Sequence, residues 1–219
     1  MTASKEVAIL MADLSGYTAA TEIHGAHSAL HLIQTYLRIA EEALIGGSSI
    51  LERVGDQIVI IADTADDVAF TAVRLLEKCF AAVNFLPIHV GMHYGSVLES
   101  EGSFFGTAIN VCARIASEAS SGEILCSEAF INNLAGKDDF VFGEIKTLKL
   151  KNILNPISVA SIDGFHTNIQ RSIDPVCKMN IDASAKYKIT DKETNHYFCS
   201  EYCMHIFEGN PQLFTSNYL

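Results

Sequence analysis

The chain has 219 residues, 49% of them hydrophobic and 19% charged, with a formal net charge of -11. That balance supplies a sizeable core and excludes a disordered chain. No apolar run reaches the roughly 18 residues of a membrane span, and the acidic excess argues against a broad grip on nucleic-acid phosphates.

The start, MTASKEVAIL, lacks a charged n-region and a long apolar stretch. No secretory signal is expected, and the six cysteines are expected as reduced thiols in the cytoplasm. Glu6 to Ala12 reads as a buried strand ending at Asp13. After Ser15-Gly16 a helix is expected, with Leu30, Ile33, Leu37, Ala40 and Leu44 as its apolar stripe and Gly46-Gly47 as its stop. Ser49 to Val54 and Gln57 to Ala62 are β-rich runs joined at Gly55-Asp56, a hairpin signal. Val68 to Val83 predicts a second helix. Ile88 to Gly95 and Ser96 to Glu99 predict strands with a turn at Gly95. Thr107 to Ala119 predicts a third helix, Glu123 to Ser127 a strand, and Phe140 to Leu150 and Ile157 to Ile162 closing strands.

The order is that of an α+β, ferredoxin-like βαββαβ domain, an antiparallel sheet with helices on one face. Asp13 and Asp56 then fall on adjacent strand ends, where paired carboxylates suit a hard cation. Cys79, Cys112 and Cys126 sit among apolar neighbours and read as core. Composition changes after Gly164. Tyr and Phe crowd together, and Cys177, Cys199 and Cys203 cluster near the end. The expected division is a domain at 1–163, a linker at 164–171 and a small Cys-containing α+β module at 172–219.

Four segments of the large domain resemble the class III adenylate/guanylate (nucleotidyl) cyclase catalytic domain: Ala12-Asp13-Leu14-Ser15-Gly16-Tyr17-Thr18; Arg53-Val54-Gly55-Asp56; His89 to Gly95; and Gly106 to Arg114. Leu150-Lys151-Asn152 before Pro156 is similar to a closing motif of that family. The resemblance implies a lyase that closes a 3′,5′-cyclic monophosphate and expels pyrophosphate, using two Mg²⁺ or Mn²⁺ ions. It implies Asp13 and Asp56, with Leu14, as the metal set. Read alone, Asp13 is equally a helix cap and Asp56 a turn residue. Ser15, Gly16, Tyr17 and Thr18 enter a helix whose free amides can hold phosphate oxygens.

Asn110 and Arg114, four apart on one helix face, are by resemblance the transition-state pair: Asn110 orients the ribose and Arg114 meets the α-phosphate. The plain alternative is an exposed polar face. Lys151 is by resemblance a triphosphate contact, and otherwise a surface lysine. Adenylate cyclases of this class carry Lys four residues before the second metal Asp, and Asp seven before the Asn. Here those positions are Glu52 and Ser103. Glu52 can accept from guanine N1–H and the 2-amino group, and Ser103 can donate to O6, which favours GTP over ATP. The family forms its sites between two subunits, so one such domain implies a head-to-tail homodimer. The alternative is an inactive nucleotide-binding or dimerising module that reports metal.

Asp174-Pro175-Val176-Cys177-Lys178-Met179, His196-Tyr197-Phe198-Cys199-Ser200-Glu201-Tyr202-Cys203, Phe207 and Asn210-Pro211 resemble a YHS domain, departing at Lys178 where that family usually has Gly. Cys199 and Cys203 share a face if their segment is helical. With Cys177, and with His196 or His205, they could hold Zn²⁺ or Cu⁺. Three semi-buried thiols in a core of Tyr187, Tyr197, Phe198 and Phe207, or a redox switch, are the other readings. His24, His27, His31, His89 and His93 form no cluster legible in the sequence and are expected to be structural.

Overall fold

The computed structural model describes residues 3–100, 102–164, 171–182, 184–191 and 194–215. Residues 165–170 of the expected linker lie outside them. The large domain runs β1 (Ala3–Leu14), α1 (Tyr17–Ala43), β2 (Ser49–Val54), β3 (Gln57–Ala62), α2 (Ala65–Ala81), β4 (Ile88–Ser100), β5 (Ser103–Phe105), α3 (Thr107–Glu118), β6 (Ile124–Ser127), α4 (Glu128–Asn132), β7 (Val141–Phe142), β8 (Lys146–Leu148) and β9 (Ile157–Asp163). The sheet order is β2-β3-β1-β4-β6-β9-β7, with β5 on β4 and β8 on β9. Pairing is antiparallel except between β4 and β6.

Alternation along β1 sorts the sheet into two faces. Ala8, Leu10, Ala12 and Leu14 join α1 and α2 in the main core. Val7, Ile9 and Met11 face Ala108, Cys112 and Ala116 of α3. The βαββαβ core therefore carries α1 and α2 on one face as expected, and the added α3 covers the other.

Three local expectations change. β4 runs unbroken through Gly95, which pairs with Val7. A Cβ there would lie 3.1 Å from Ala108 Cβ, so this glycine admits α3 rather than turning the chain. Phe140 to Leu150 splits into β7 and β8 at Gly143, where a Cβ would strike the Ser161 hydroxyl. In α1, Gly25 breaks the helix with φ 76° and ψ 179°. The buried stripe becomes Ala29, Leu32, Ile33, Tyr36, Ile39, Ala40 and Ala43, and Leu30 is 57% exposed.

The small module runs β10 (Arg171–Ile173), β11 (Asn180–Asp182), β12 (Tyr187–Asp191), β13 (Thr194–Phe198), α5 (Glu201–Gly209) and α6 (Gln212–Thr215). It packs against the large domain. Asn84 N donates to Asn180 O and Asn180 N to Phe85 O, at 2.9 and 2.7 Å. Arg171 donates to Ala81 O at 2.8 Å. Phe85 and Leu86 share one apolar cluster with Val176, Met179, Ile181, Phe198 and Phe207. Lys178 adopts φ 67°, the left-handed region where glycine costs least.

Candidate functional sites

Asp13 is the penultimate residue of β1, and Asp56 lies in the β2–β3 turn. β1 pairs with β3, Ala12 opposite Ile58, so both carboxyls reach one end of the sheet. Burial and the nearby Asp13 carboxylate push Asp56 up to about 6. Two carboxyls that repel each other in a half-buried position are matched to a divalent cation.

His89 lies opposite Asp13 in β4. Its Nε2 is 3.9 Å from Asp13 Oδ2, and its Nδ1 is 3.0 Å from Ser15 Oγ. Burial lowers its pKa, while Asp56 pulls the other way. Its place beside the carboxylates follows only from the β1–β4 register, which the sequence does not display.

Leu14 donates its amide to Asp13 Oδ1 at 3.2 Å and buries its side chain. Gly16 caps α1 at φ 88° with no side-chain acceptor. The first-turn amides, including those of Tyr17 and Thr18, are thus left without a cap. The Ser15 amide is already engaged, donating to Pro87 O at 2.8 Å, and its hydroxyl pairs with His89.

On α3, Asn110 is exposed and Arg114 half-buried, while Ala108, Val111, Cys112 and Ile115 face inward. The Arg114 guanidinium has no hydrogen-bond or ion-pair partner among the described residues. Lys151 is exposed in the turn after β8. Glu52 and Ser103 line one cleft of about 340 Å³ with Leu51, Gly102, Phe104 and Phe105.

The three C-terminal cysteines also meet. Cys199 Sγ is 3.5 Å from both Cys177 Sγ and Cys203 Sγ. All six cysteines of the protein are free thiols. The flanking thiols of Cys177 and Cys199 hold Cys203 down to about 4. The imidazole at this cluster is His24 of α1, whose Nε2 lies 3.4 Å from Cys199 Sγ and 3.6 Å from Cys203 Sγ. The four donor atoms lie within 4.8 Å of one another.

His196 does not join them. Its ring packs on Phe207, centroids 4.8 Å apart. His205 is exposed and pairs with Glu208. Asp174, which the sequence shows only as the first residue of the YHS-like motif, anchors the cluster. It is fully buried and accepts from Val176 N, Cys177 N and Cys199 N at 2.8, 3.3 and 2.8 Å. Burial raises its pKa, and those amides oppose the rise.

Residues 172–218 match the YHS domain family. The rest is similar to an adenylate cyclase of Streptomyces griseus, 27% identical over 58% of this chain and 32% of that protein. A putative adenylate cyclase of Rhizobium meliloti is 27% identical over 69% of this chain and 27% of its own length. The chain spans about a third of the length of the curated relatives it matches first.

Among solved structures, the adenylyl cyclase CyaB from P. aeruginosa superposes with TM-score 0.62 at 18% identity, over 78% of this chain and all of that one. The guanylyl cyclase Cya2 gives 0.64 at 21%, over 74% and 93%. No helix among the described residues is long and apolar enough to cross a membrane. The chain joins a domain with the class III nucleotidyl cyclase fold to a YHS domain.

Proposed function

We propose that the chain is a class III nucleotidyl cyclase that converts GTP, in preference to ATP, to the 3′,5′-cyclic monophosphate and pyrophosphate. Residues 1–163 form the catalytic unit, 164–171 the linker and 172–219 the regulatory module. The observation that carries this reading is the meeting of Asp13 and Asp56 at one sheet end, beside the uncapped start of α1.

The Asp13 and Asp56 carboxylates, with the Leu14 main chain beside them, would hold two Mg²⁺ or Mn²⁺. When bound, these ions acidify the ribose 3′-hydroxyl and neutralise charge on the phosphates. The amides at Gly16, Tyr17 and Thr18 cradle phosphate oxygens. The partner subunit of a head-to-tail dimer brings the other half. Its Asn110 orients the ribose, Arg114 meets charge developing on the α-phosphate, and Lys151 holds the leaving pyrophosphate. An unpartnered guanidinium on an outward helix face is what such a role requires.

The 3′-oxygen forms a bond to the α-phosphorus and loses its proton, and the bond from the α-phosphorus to pyrophosphate breaks. Glu52 and Ser103 read the base from their shared cleft, Glu52 accepting from N1–H and the 2-amino group and Ser103 donating to O6.

The test is product analysis after incubation with GTP and, separately, ATP, each with Mn²⁺. Cyclic GMP in excess of cyclic AMP, lost in Asp56→Ala, is expected. Cyclic AMP alone overturns the base assignment, and no product from a verified dimer overturns the enzyme.

A further inference from the structure

The fourth donor at the cysteine cluster belongs to the other domain. His24 lies in α1, about 150 residues before Cys177, one residue before the Gly25 break and two turns after Asp13-Leu14-Ser15-Gly16. A tetrahedral ion with metal–sulfur legs of about 2.3 Å has sulfur–sulfur edges of about 3.8 Å, and sulfur–nitrogen edges of about 3.5 Å. Cys199 Sγ lies 3.5 Å from each of the other two sulfurs, Nε2 of His24 lies 3.4 Å from Cys199 Sγ and 3.6 Å from Cys203 Sγ, and the two remaining edges, from Cys177 to Cys203 and to His24, are within 4.8 Å. A disulfide needs about 2.05 Å.

Cys177 and Cys203 are buried, while Cys199 and His24 are half-buried. Cys199 and His24 line a cleft of about 430 Å³ whose wall also carries His27 and His31, an entry path for an ion. Asp174 fixes the Cys177 and Cys199 turns through their amides, and Ser200 caps α5 by accepting from Cys203 N at 3.2 Å. These supports act whether or not an ion is bound, so the donor set is preorganised.

We propose that Cys177, Cys199, Cys203 and His24 bind one thiophilic d¹⁰ cation, Zn²⁺ or Cu⁺, which bolts the YHS domain to the first segment of α1. The same module touches that segment a second time. Lys178, next to Cys177, lies over Gly16, where a built Cβ would come within 2.5 Å of Lys178 Cβ. Residues 16 to 24 are thus held at both ends by the Cys177 loop and the cluster, and Gly25 frees them from the rest of the helix. Loading the site stiffens the loop that follows Asp13. That last link rests on the proposed nucleotide site, whereas ion binding does not.

The experiment loads the reduced full-length protein anaerobically with Zn²⁺, with Cu⁺, and with Co²⁺ as a spectroscopic stand-in. Wild type is expected to take up one ion per chain, with three sulfur and one nitrogen neighbours by X-ray absorption. His24→Ala should lose the nitrogen neighbour and weaken binding at least 10- to 100-fold. His196→Ala should match wild type. His24→Cys guards against a folding defect: it should keep the ion with four sulfur neighbours.

Hydrogen exchange over residues 15–24 should slow on loading in wild type and in His196→Ala, and stay unchanged in His24→Ala. The proposal falls if His24→Ala binds like wild type, if His196→Ala is the variant that fails, or if the reduced protein takes up no ion. Slowed exchange with no cyclase product would sink the catalytic reading and leave the bolt standing. Product with no change in exchange would do the reverse.

Discussion

The two clusters of the molecule are built on opposite plans. At the end of β1, Asp13 and Asp56 offer hard oxygen donors, half-buried and mutually repelling. Arg114 and Lys151, which the proposed reaction uses, have no side-chain partner among the described residues. At the YHS end, three thiols and an imidazole already lie within 4.8 Å, and every supporting hydrogen bond is made within one chain. In the proposed reading the first site is completed by a second copy; the second cluster draws its donors from both domains of one copy. Donor chemistry separates them too, since carboxylates suit Mg²⁺ and thiolates suit Zn²⁺ or Cu⁺.

The sharpest way to break this contrast is mixing. Asp56→Ala and Arg114→Ala should each cut cyclic nucleotide formation by two to three orders of magnitude. Mixed one to one, they should recover about a quarter of wild-type activity, because half the dimers are mixed and each has one intact site of two. Continued inactivity of the mixture would mean that the site is not shared. Next in size, Glu52→Lys with Ser103→Asp should move the ATP-to-GTP product ratio by one to two orders of magnitude. An unchanged ratio would remove the base-reading role of that cleft.

On the closed site, Asp174→Asn replaces one acceptor with a donor that faces a backbone N–H. It should weaken ion binding about tenfold by Co²⁺ titration and lower unfolding stability by about 2 kcal/mol. Gly16→Ala should cost about 1–2 kcal/mol for φ 88° alone, and more because Lys178 occupies the space. Its thermal midpoint against that of Gly55→Ala, where φ is 65° but nothing lies nearby, isolates the contact.

A further effect, of the same size as these, is acid sensitivity. Burial holds His93 down to about 4, with Ser127 Oγ 2.7 Å from its Nδ1. Its folded-state pKa is below the unfolded value, so the neutral ring contributes fully above about pH 6.5. That contribution is lost as pH falls toward 4, on the order of 2–3 kcal/mol. Denaturant titrations of wild type and His93→Gln should converge at low pH. Parallel curves would show that another group sets the slope.

What the sequence disclosed was local. Asp13, Gly16, Asp56 and the Asn110–Arg114 face sit in short segments whose spacing alone places them on strand ends, a turn and a helix. The cysteines were legible as a group because they fall close together. His24 was not, since its partners lie far along the chain and only the docking of two domains brings them near. The helical stripe held at Ile33 and Ala40 but missed at Leu30, which is exposed, because Ala29, Leu32, Tyr36 and Ile39 fill the core-facing side instead. Gly95 read as a turn because a glycine required by an approaching helix looks the same in one dimension. Asp174 stands at the head of the YHS-like motif, but its three amide partners come from the fold and not from the spacing.

The bridge between Phe85 and Asn180 bears on how this protein can be taken apart. Asn84 and Phe85 give their main-chain partners to the YHS domain, and Leu86 buries against the same apolar cluster. Removing that domain would bare an apolar wall and two unpaired amide groups directly before β4, the strand that carries His89. Loss of activity in a shortened chain would then report damage to a shared wall, not loss of a signal. Single side-chain replacements at the cluster are the cleaner incision.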